Sequence, residues 1–322
     1  MKQNLIGIDI GGTKCAVTYG INDAENIVIV DKLKFDTTRV DDTVTNLLET
    51  TSAIMNKYGL DFGNTSAIGI SCGGPLDSKK GTIMSPPNLP GWDNIPIVEL
   101  FEKRFVIKTA VQNDANACAL AEWKFGAARG YNNAIFLTFG TGMGAGLILD
   151  GKLYAGTNDN AGEVGHIRLE KTGPVGYGKA GSFEGFCSGG GIAQVARVKV
   201  MEKLQTGEPV SFCKSMNELN NLTAKTVAEA ADAGDSLARE IYCECACYLG
   251  KALSILIDVL NPEIIVLGSI YCRAQSLIQP AMQEIIDHET LIHSRRVCKI
   301  VPAELGESIG DYAALSVAVN TQ

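Results

Sequence analysis

The alternation of apolar and polar positions predicts short buried strands, each followed by a glycine-rich turn or by a helix. Residues 5–18 have the pattern of an apolar strand, a glycine turn and a second strand, and residues 134–149 repeat that design. The remaining elements predicted from periodicity are helices over 41–58, 225–233, 235–260 and 310–319 and strands over 67–71 and 263–267. Strands that alternate with helices in this way are typical of an α/β fold.

The sharpest change of pattern falls between residues 106 and 122. The apolar run 106–111 predicts a buried strand, and an alanine-rich helix is predicted to begin near Asp114. The positive end of a helix favours an ionised carboxylate by about 0.3–1 kcal/mol, which suits a group that accepts a proton. On this segment alone, a helix cap formed by Asn113 or Asp114 is the simpler interpretation.

The composition limits the classes of protein to consider. With 322 residues the chain is long enough for two ordinary domains, and 46% hydrophobic and 20% charged residues are typical of a globular protein. The net charge of −8 argues against a nucleic-acid partner, because binding to a duplex needs clustered Lys and Arg. An anionic ligand would be held by backbone amides, helix N-termini and a metal ion instead.

The sequence predicts a cytoplasmic protein with no membrane partner. It contains neither a signal-like segment at its start nor an apolar stretch of membrane-spanning length. The ten cysteines are expected to be free thiols, since they lack the short, regular spacing of a small secreted domain. Cys243, Cys245 and Cys247 fall in one predicted helix, where Cys245 points away from the other two, so packing explains them better than a shared metal ion.

Both glycine hairpins are candidates for binding phosphate. In the first, Asp9 ends a strand beside Gly11, Gly12, Thr13 and Lys14, which together offer backbone amides, a hydroxyl and an ammonium group. Asp9 itself could bind Mg²⁺ or a water molecule on it. An ordinary hairpin with a glycine turn is an equally economical interpretation of this segment alone.

The second hairpin places Gly140, Thr141, Gly142 and Gly144 in its turn. Two hairpins of one design, about a domain's length apart, suggest two similar halves that face each other across a cleft. Neither hairpin has the spacing of a Walker loop, and each leads into a strand rather than into the helix of a dinucleotide-binding fold. The predicted strand over 263–267 ends at Gly268, where the edge of a nucleotide would lie in a two-lobed fold.

Polar residues in several loops offer partners for a small polyhydroxylated ligand. Two carboxylates and an imidazole, at Glu163, Glu184 and His166, could together bind several hydroxyl groups. A structural role is the commoner one for such residues, and ordinary loops explain the turn at Gly74 and the proline-rich loop at Asn88 as economically.

Taken together, these segments resemble the ROK sugar kinases of the actin-like and hexokinase-like ATPase superfamily. The resemblance extends over almost the full length and depends on the order of six segments: Asp9-Ile-Gly-Gly-Thr13, Asn113-Asp-Ala-Asn116, Gly140-Thr-Gly-Met-Gly144, Glu163-Val-Gly-His166, Phe183-Glu184 and Asn261-Pro-Glu-Ile-Ile-Val-Leu-Gly268.

The resemblance implies a two-lobed α/β fold of the actin-like (ribonuclease H-like) ATPase type with a central cleft. We expect an N-terminal lobe over 1–120, completed by a returning helix over 306–322, and a C-terminal lobe over 121–305. It also implies transfer of the γ-phosphoryl group of ATP, with Mg²⁺, to a hydroxyl of a hexose, for which a glucose-type sugar is the first choice. N-acetylhexosamine, fructose, allose or glycoside kinases and a non-catalytic sugar sensor are the alternatives, and a homodimer is suggested.

The resemblance further implies roles for individual residues. Asp114 would act as the general base, which typically contributes about 10²–10⁴-fold to the rate. The residues that would hold the sugar are Gly74, Asn88, Asn113, Asp114, Glu163, His166 and Glu184. Those that would face ATP and its phosphates are Asp9, Gly11, Gly12, Thr13, Lys14, Gly140, Thr141, Gly142, Gly144 and Gly268.

One departure from the family concerns a structural metal. Family members usually carry C-x-C-G-x-x-G-C-x-E after the E-x-G-H histidine, and the three cysteine positions are Val175, Tyr177 and Ser182 in this chain. A tetrahedral zinc site does not survive the loss of three thiolates, so we predict no structural zinc, with His166 serving the sugar alone. How residues 171–183 are ordered without zinc is left open.

The family also contains DNA-binding repressors, which carry a helix-turn-helix domain before the first hairpin. They fit less well, because only four residues precede the first predicted strand and the chain is acidic.

Overall fold

The computed structural model describes residues 2–23 and 25–321. The strands, in chain order, are β1 (Gln3–Ile10), β2 (Lys14–Asn22), β3 (Ile27–Asp36), β4 (Thr65–Cys72), β5 (Leu76–Asp77), β6 (Thr82–Ile83), β7 (Thr109–Asn113), β8 (Ala134–Phe139), β9 (Met143–Leu149), β10 (Lys152–Leu153), β11 (Val175–Gly176), β12 (Lys179–Ala180), β13 (Ile264–Leu267) and β14 (Lys299–Pro302). The α-helices are α1 (Val40–Tyr58), α2 (Ile97–Phe105), α3 (Asp114–Phe125), α4 (Phe183–Phe186), α5 (Gly189–Gln205), α6 (Ala224–Asp232), α7 (Ser236–Leu260), α8 (Ile270–Glu289), α9 (Ile292–Val297) and α10 (Ile309–Asn320).

The chain forms two compact units, each built from stretches that are distant in sequence. The first unit contains Met1–Phe136, Gly146–Ala161 and Glu304–Gln322, and the second contains Leu137–Ala145 and Gly162–Ala303. The lobe boundary predicted from the sequence, after residue 120, remains a prediction.

A five-stranded sheet organises the first unit, with the strand order β3-β2-β1-β4-β7. The first three strands form an antiparallel meander, whereas β4 and β7 run parallel to β1. Ile10 pairs with Cys72, and Cys72 pairs with Asn113, so the carboxyl ends of β1, β4 and β7 lie in register at one edge. Ligands of α/β sheets bind at such an edge. The predicted site residues of this unit lie at the carboxyl ends of these strands or in the turns that follow them, except Lys14, which begins β2, and Asn88, which lies in a loop.

Alternating side chains of β1 pack into clusters on opposite faces of this sheet. Ile6 and Ile8 join a core that includes Leu47 and Ile54 of α1, whereas Leu5 packs with Leu315 of α10. The C-terminal helix therefore docks on the first unit, where it contacts β1, β4 and α3.

A buried carboxylate ties α3 to the segment that leads into α10. Glu122 is fully buried, and its carboxylate accepts the backbone N–H groups of Ala127 at 2.8 Å, Leu305 at 3.0 Å and Glu304 at 3.3 Å. A buried charge is tolerated when hydrogen bonds satisfy it in this way. Glu122 thus fixes the helix that begins at Asp114.

A second five-stranded sheet has the order β10-β9-β8-β13-β14, and long helices dominate the second unit. The helix α7 runs for 25 residues, starts with the side chain of Asp235 accepting the N–H of Ala238, and ends at Asn261 in the left-handed region. The predicted cap, the predicted helix and the following strand β13 are all confirmed.

The strand predicted over 106–111 is wrong at its start. Val106 ends α2 in the left-handed region with φ of 58° and is 75% exposed, and β7 begins only at Thr109. A β-branched residue rarely adopts this conformation. The apolar sequence 106–111 therefore gave no indication that a helix ends within it. The other predicted helices are present with shifts of one residue at their ends. Both hairpins are present, and the first extends beyond the predicted range of 5–18, to Gln3 and Asn22.

Two expectations drawn from composition also bear on the fold. All ten cysteines are free thiols, and Cys245 is buried whereas Cys243 is exposed, as the predicted helix required. Across residues 2–23 and 25–321, every helix is too short or too polar to span a bilayer.

Candidate functional site

A tight glycine turn joins β1 to β2 in the first unit. The N–H of Gly11 donates to the carbonyl of Lys14 at 3.1 Å, and the hydroxyl of Thr37 donates to the carbonyl of Gly11 at 2.6 Å. A Cβ atom on Gly12 would lie 2.5 Å from the carbonyl oxygen of Asn88, so only glycine fits there. Thr13 and Lys14 are exposed beside this turn, as expected of a turn that presents donors to an anion.

Asp9 lies partly buried just before this turn. Burial is the largest influence on its carboxyl group and raises the pKa to about 6, and the charges of Asp114 and Asp311 act in the same direction. The nearby ammonium group of Lys32, which is paired with Asp311, opposes them. Asp9 can therefore bind a cation or a proton near neutral pH.

Lys32 and Asp311 were missed by the sequence reasoning. Lys32 lies on the edge strand β3 and Asp311 on the C-terminal helix α10, so neither belongs to a segment that resembles the family motifs. In the sequence, the available signal was the pair Gly310–Asp311 at the start of a predicted helix. In the structure, a Cβ on Gly310 would lie 3.6 Å from Oδ2 of Asp9.

Two glycines after β4 let two asparagine side chains approach the backbone. A Cβ on Gly74 would lie 3.0 Å from Nδ2 of Asn113, and one on Gly73 would lie 3.3 Å from Oδ1 of Asn88. The first unit thus brings Gly74, Asn88 and Asn113 together beside the turn at Gly12, and their role in sugar binding stays a prediction.

Asp114 is the first residue of α3. The side chain of Asn113 caps the helix by accepting the N–H of Ala115 at 2.9 Å, and Oδ1 of Asp114 shares that donor at 2.8 Å. Its carboxylate is accessible to solvent, yet the surrounding protein atoms desolvate it and raise its pKa above the usual aspartate value. Asn113 therefore supplies the cap, and a basic, accessible carboxylate stands beside it.

The second unit contains the turn of the other hairpin, residues 140–144. The N–H of Gly140 donates to the carbonyl of Gly142 at 3.1 Å, and the carbonyl of Gly140 accepts the N–H of Gly189 at 2.8 Å. The hydroxyl of Thr138 accepts the N–H of Gly144 at 3.0 Å and donates to its carbonyl at 3.3 Å. Sequence reasoning missed Thr138, although a threonine in an otherwise apolar strand was a signal.

The segment that carries Glu163 and His166 lies directly on β9. A Cβ on Gly162, whose φ is 92°, would lie 2.0 Å from the carbonyl oxygen of Ala145, and one on Gly165 would lie 2.1 Å from that of Met143. These two glycines bring the segment close to the backbone of β9. The side chains of Glu163 and His166 are both exposed.

Glu184 lies on the short helix α4 and reaches the same strand. Its Oε2 atom accepts the backbone N–H of Met143 at 3.0 Å. The buried hydroxyl of Ser182 caps α4 by accepting the N–H of Gly185 at 3.1 Å. The second unit therefore brings Glu184, the turn 140–144 and the segment 163–166 together.

A cavity of about 710 Å³ opens beside this turn, within the second unit. The residues that line it include Gly140, Thr141, Lys225, Glu229, Ser269 and Arg273. Gly268, predicted to lie by a nucleotide, directly precedes Ser269, and its N–H donates to Leu137 at 3.0 Å. The volume suits a nucleotide-sized ligand, and Lys225 and Arg273 supply positive charge for an anionic one.

Within the described residues, His, Cys, Asp and Glu side chains form no group of three or more that could hold a metal ion. The predicted absence of zinc remains a prediction. A Mg²⁺ ion needs fewer protein ligands, because one or two carboxylates usually bind it together with substrate phosphates. Asp9 provides such a carboxylate, beside a turn that has no room for a side chain at Gly12. This arrangement fits the requirement for Mg²⁺.

Comparison with known proteins identifies the family of this chain. The model of the ROK family matches residues 5–320. The chain belongs to the ROK family. A glucokinase of Halalkalibacterium halodurans is 33% identical to this ROK protein over 284 residues, which cover 86% of this chain and 84% of the glucokinase.

A solved structure extends the similarity. The ROK family glucokinase from Streptomyces griseus in complex with glucose and AMPPNP superimposes with a TM-score of 0.76 at 27% identity, covering 98% of this ROK protein and 99% of that chain. The predicted family and the predicted actin-like α/β fold are confirmed.

The family also includes regulators. The DNA-binding transcriptional dual regulator NagC of Escherichia coli is 31% identical over 276 residues, which cover 85% of this ROK protein and 66% of the regulator.

Proposed function

We propose that this ROK protein is an ATP-dependent sugar kinase that transfers the γ-phosphoryl group of ATP to a hydroxyl of a hexose, with a glucose-type sugar as the first choice. The observation that carries the proposal is Asp114, an accessible carboxylate of raised pKa at the start of α3. The similarity to glucokinases, one of them solved with glucose and AMPPNP, supports the same reaction.

Asp114 is proposed to take the proton of the acceptor hydroxyl. A sugar hydroxyl is a weak nucleophile, and a carboxylate within hydrogen-bond reach makes it reactive as the phosphoryl group arrives. The raised pKa strengthens Asp114 as a base. Asn113, which is held by the helix cap, is suited to fix the orientation of a neighbouring hydroxyl.

The remaining sugar contacts are proposed for Gly74, Asn88, Glu163, His166 and Glu184. Carboxylates accept hydrogen bonds from hydroxyl groups, whereas an imidazole and an amide can both donate and accept. This combination matches the mixed donors and acceptors of a hexose. The choice between hexoses depends on which hydroxyl lacks a partner, because an unpaired buried polar group costs orders of magnitude in specificity.

The donor side is proposed for the two glycine turns and the cavity in the second unit. The backbone amides of the turn at Gly11 and Gly12 and of the turn 140–144 would hold phosphate oxygens, and the cavity by Ser269 would hold the nucleoside. A bound Mg²⁺ supplies neutralisation of phosphate charge during transfer. Asp9 would hold that ion, directly or through water, which requires its carboxylate to be ionised.

A second candidate function is sugar-responsive regulation without catalysis. The 31% identity with NagC over 85% of this chain supports it. The accessible, basic Asp114 favours the kinase, because binding a sugar needs no group whose pKa suits it to accept a proton.

A coupled ADP-release assay over a panel of monosaccharides tests the proposal. The panel contains glucose, mannose, fructose, allose, N-acetylglucosamine and N-acetylmannosamine, each with MgATP. We expect one or two sugars to be phosphorylated with kcat/KM at least tenfold above the rest. If calorimetry detects sugar binding but no sugar stimulates ADP release, the regulator is the correct function.

A further inference from the structure

The hairpin β11–β12 lies against two residues that are proposed to bind the sugar. The position of a Cβ on Gly176 is 2.8 Å from Cβ of Glu184, so the hairpin backbone touches that residue. The ring of Tyr177 meets the ring of His166 edge-on at 6.4 Å, and Nζ of Lys179 donates to the carbonyl of His166 at 2.7 Å. The position of this hairpin therefore affects the positions of Glu184 and His166.

One side chain ties this hairpin to α5. Oε1 of Gln194 accepts the backbone N–H of Val175 at 2.9 Å, and Nε2 of Gln194 donates to the carbonyl oxygen of Val175 at 2.8 Å. The two ends of a single amide thus bind both backbone groups of one residue. Val175 directly precedes Gly176, so the bonds act where the hairpin meets Glu184.

We propose that Gln194 is a positioning residue for the sugar, acting through the hairpin on Glu184 and His166. The inference rests on the proposed function, because these two residues position a sugar only if the chain binds one. Val175, Tyr177 and Ser182 carry no thiolate that a metal could bridge, so hydrogen bonds hold this segment. Gln194 supplies the two that reach from α5 to β11.

Separate contacts hold the base of the hairpin. The N–H of Gly181 donates to the carbonyl of Pro174 at 2.9 Å, and Nη1 of Arg168 donates to the carbonyl of Ala180 at 2.6 Å. These bonds persist when Gln194 is replaced, so its loss should let β11 move without unfolding the segment. The expected effect is on sugar binding rather than on stability.

The first test compares Gln194→Ala with the wild-type protein and with Gln205→Ala, an exposed glutamine at the end of the same helix. Two hydrogen bonds at a partly exposed site correspond to a rise in sugar KM of roughly 3–10-fold. The KM for ATP should stay within about twofold, and the melting temperature within about 2 °C. Gln205→Ala should match the wild type in all three measurements.

The second test uses Gln194→Glu, which keeps the shape of the side chain. An ionised carboxylate accepts the N–H of Val175 but has no donor for its carbonyl, whereas a protonated carboxyl group restores that donor. The sugar KM of this variant, divided by that of the wild type at the same pH, should be raised at pH 8 and should fall as the pH is lowered toward about 4.3, the usual pKa of a glutamate. The charged residues that line the adjacent cavity with position 194 are Lys199, Glu202 and Glu244.

The outcomes separate this proposal from the proposed function. An unchanged sugar KM in Gln194→Ala, or equal rises in the KM of both substrates, would overturn the positioning role. A ratio for Gln194→Glu that ignores pH would also overturn it. If the wild type binds a sugar but phosphorylates none, the kinase function fails instead, and the sugar Kd from calorimetry replaces KM in the same comparison.

Discussion

Oε2 of Glu184 accepts a hydrogen bond from the backbone N–H of Met143 at 3.0 Å. Met143 lies in the glycine turn 140–144 that is proposed to hold phosphate and begins β9, whereas Glu184 is proposed to hold the sugar. One carboxylate thus connects the two binding elements of the second unit.

Replacing Glu184 separates these two contacts. Glu184→Gln keeps an oxygen that can accept the N–H of Met143, so it should raise mainly the sugar KM. Glu184→Ala loses both contacts and should raise the KM of sugar and of ATP, each by about 10-fold or more, since hydrogen bonds to charged groups are the stronger ones. Steady-state kinetics with both substrates varied gives these values, with the exposed Glu289→Ala as the control. An unchanged KM for ATP in Glu184→Ala would mean that the turn does not depend on this bond.

Removing the proposed base should affect turnover rather than binding. Asp114→Asn keeps the size of the side chain and an oxygen that can accept the N–H of Ala115, but it has almost no basicity. We expect kcat to fall by about 10²–10⁴-fold while the sugar Kd changes little. Asp42→Asn, at an exposed position in the first turn of α1, is the matched control. Near-normal kcat in Asp114→Asn would show that another group accepts the proton.

Asp9 should make the protein less stable as pH rises. Its pKa is about 6 in the folded protein against a usual value of 3.8, so the folded state keeps a proton that the unfolded state loses between these two values. Stability therefore falls as pH increases through this window and stays lower above it. Asp9→Asn lacks this penalty, and its melting temperature should exceed that of the wild type by roughly 2–6 °C at pH 7.5.

The pH dependence of this difference is the sharper measurement. By differential scanning fluorimetry, the advantage of Asp9→Asn should shrink below pH 6 and vanish only below about pH 3, where the wild-type carboxyl is protonated in both states. The same variant should need more Mg²⁺ for activity, since it has lost the proposed metal-binding charge. A difference in melting temperature that is constant between pH 4 and 8 would contradict the raised pKa.

The packing of α10 on the first sheet depends on a glycine. A Cβ on Gly69 would lie 2.2 Å from the carbonyl oxygen of Ala314 and 2.3 Å from the N atom of Ala318. Gly69→Ala should therefore destabilise the protein by about 1–3 kcal/mol or more, measured by urea denaturation. Gly190→Ala in α5 is the control, because its Cβ would meet nothing closer than 3.9 Å. Equal stability of the two variants would show that α10 can shift away at little cost.

The sequence predicted the elements that local patterns encode. The two glycine hairpins and the helix start at Asp114 were readable because strand periodicity, glycine turns and alanine-rich helices leave short-range signals. The end of α2 at Val106 was not readable, since the left-handed conformation there falls on a valine and not on a glycine, which is the usual signal of a helix end.

The environment of the candidate site was less predictable than its motifs. The pKa of Asp9 is raised mainly by burial, and two charges from distant elements also act on it: Asp311 on the last helix raises it further, whereas Lys32 on an edge strand lowers it. The anchoring of residues 171–183 by Gln194 depends on a contact between a helix and a short hairpin. Both features arise from side chains that come into contact only after folding, so the spacing of residues in the sequence does not predict them.

The first unit takes its last segment from Glu304–Gln322, after the whole of the second unit has been encoded. A ribosome must therefore release the whole of the second unit before the Glu122 carboxylate can contact Glu304 and Leu305. Until then the face of the sheet that α10 covers stays open, so nascent chains should depend on chaperones for longer than a protein whose domains are completed in order.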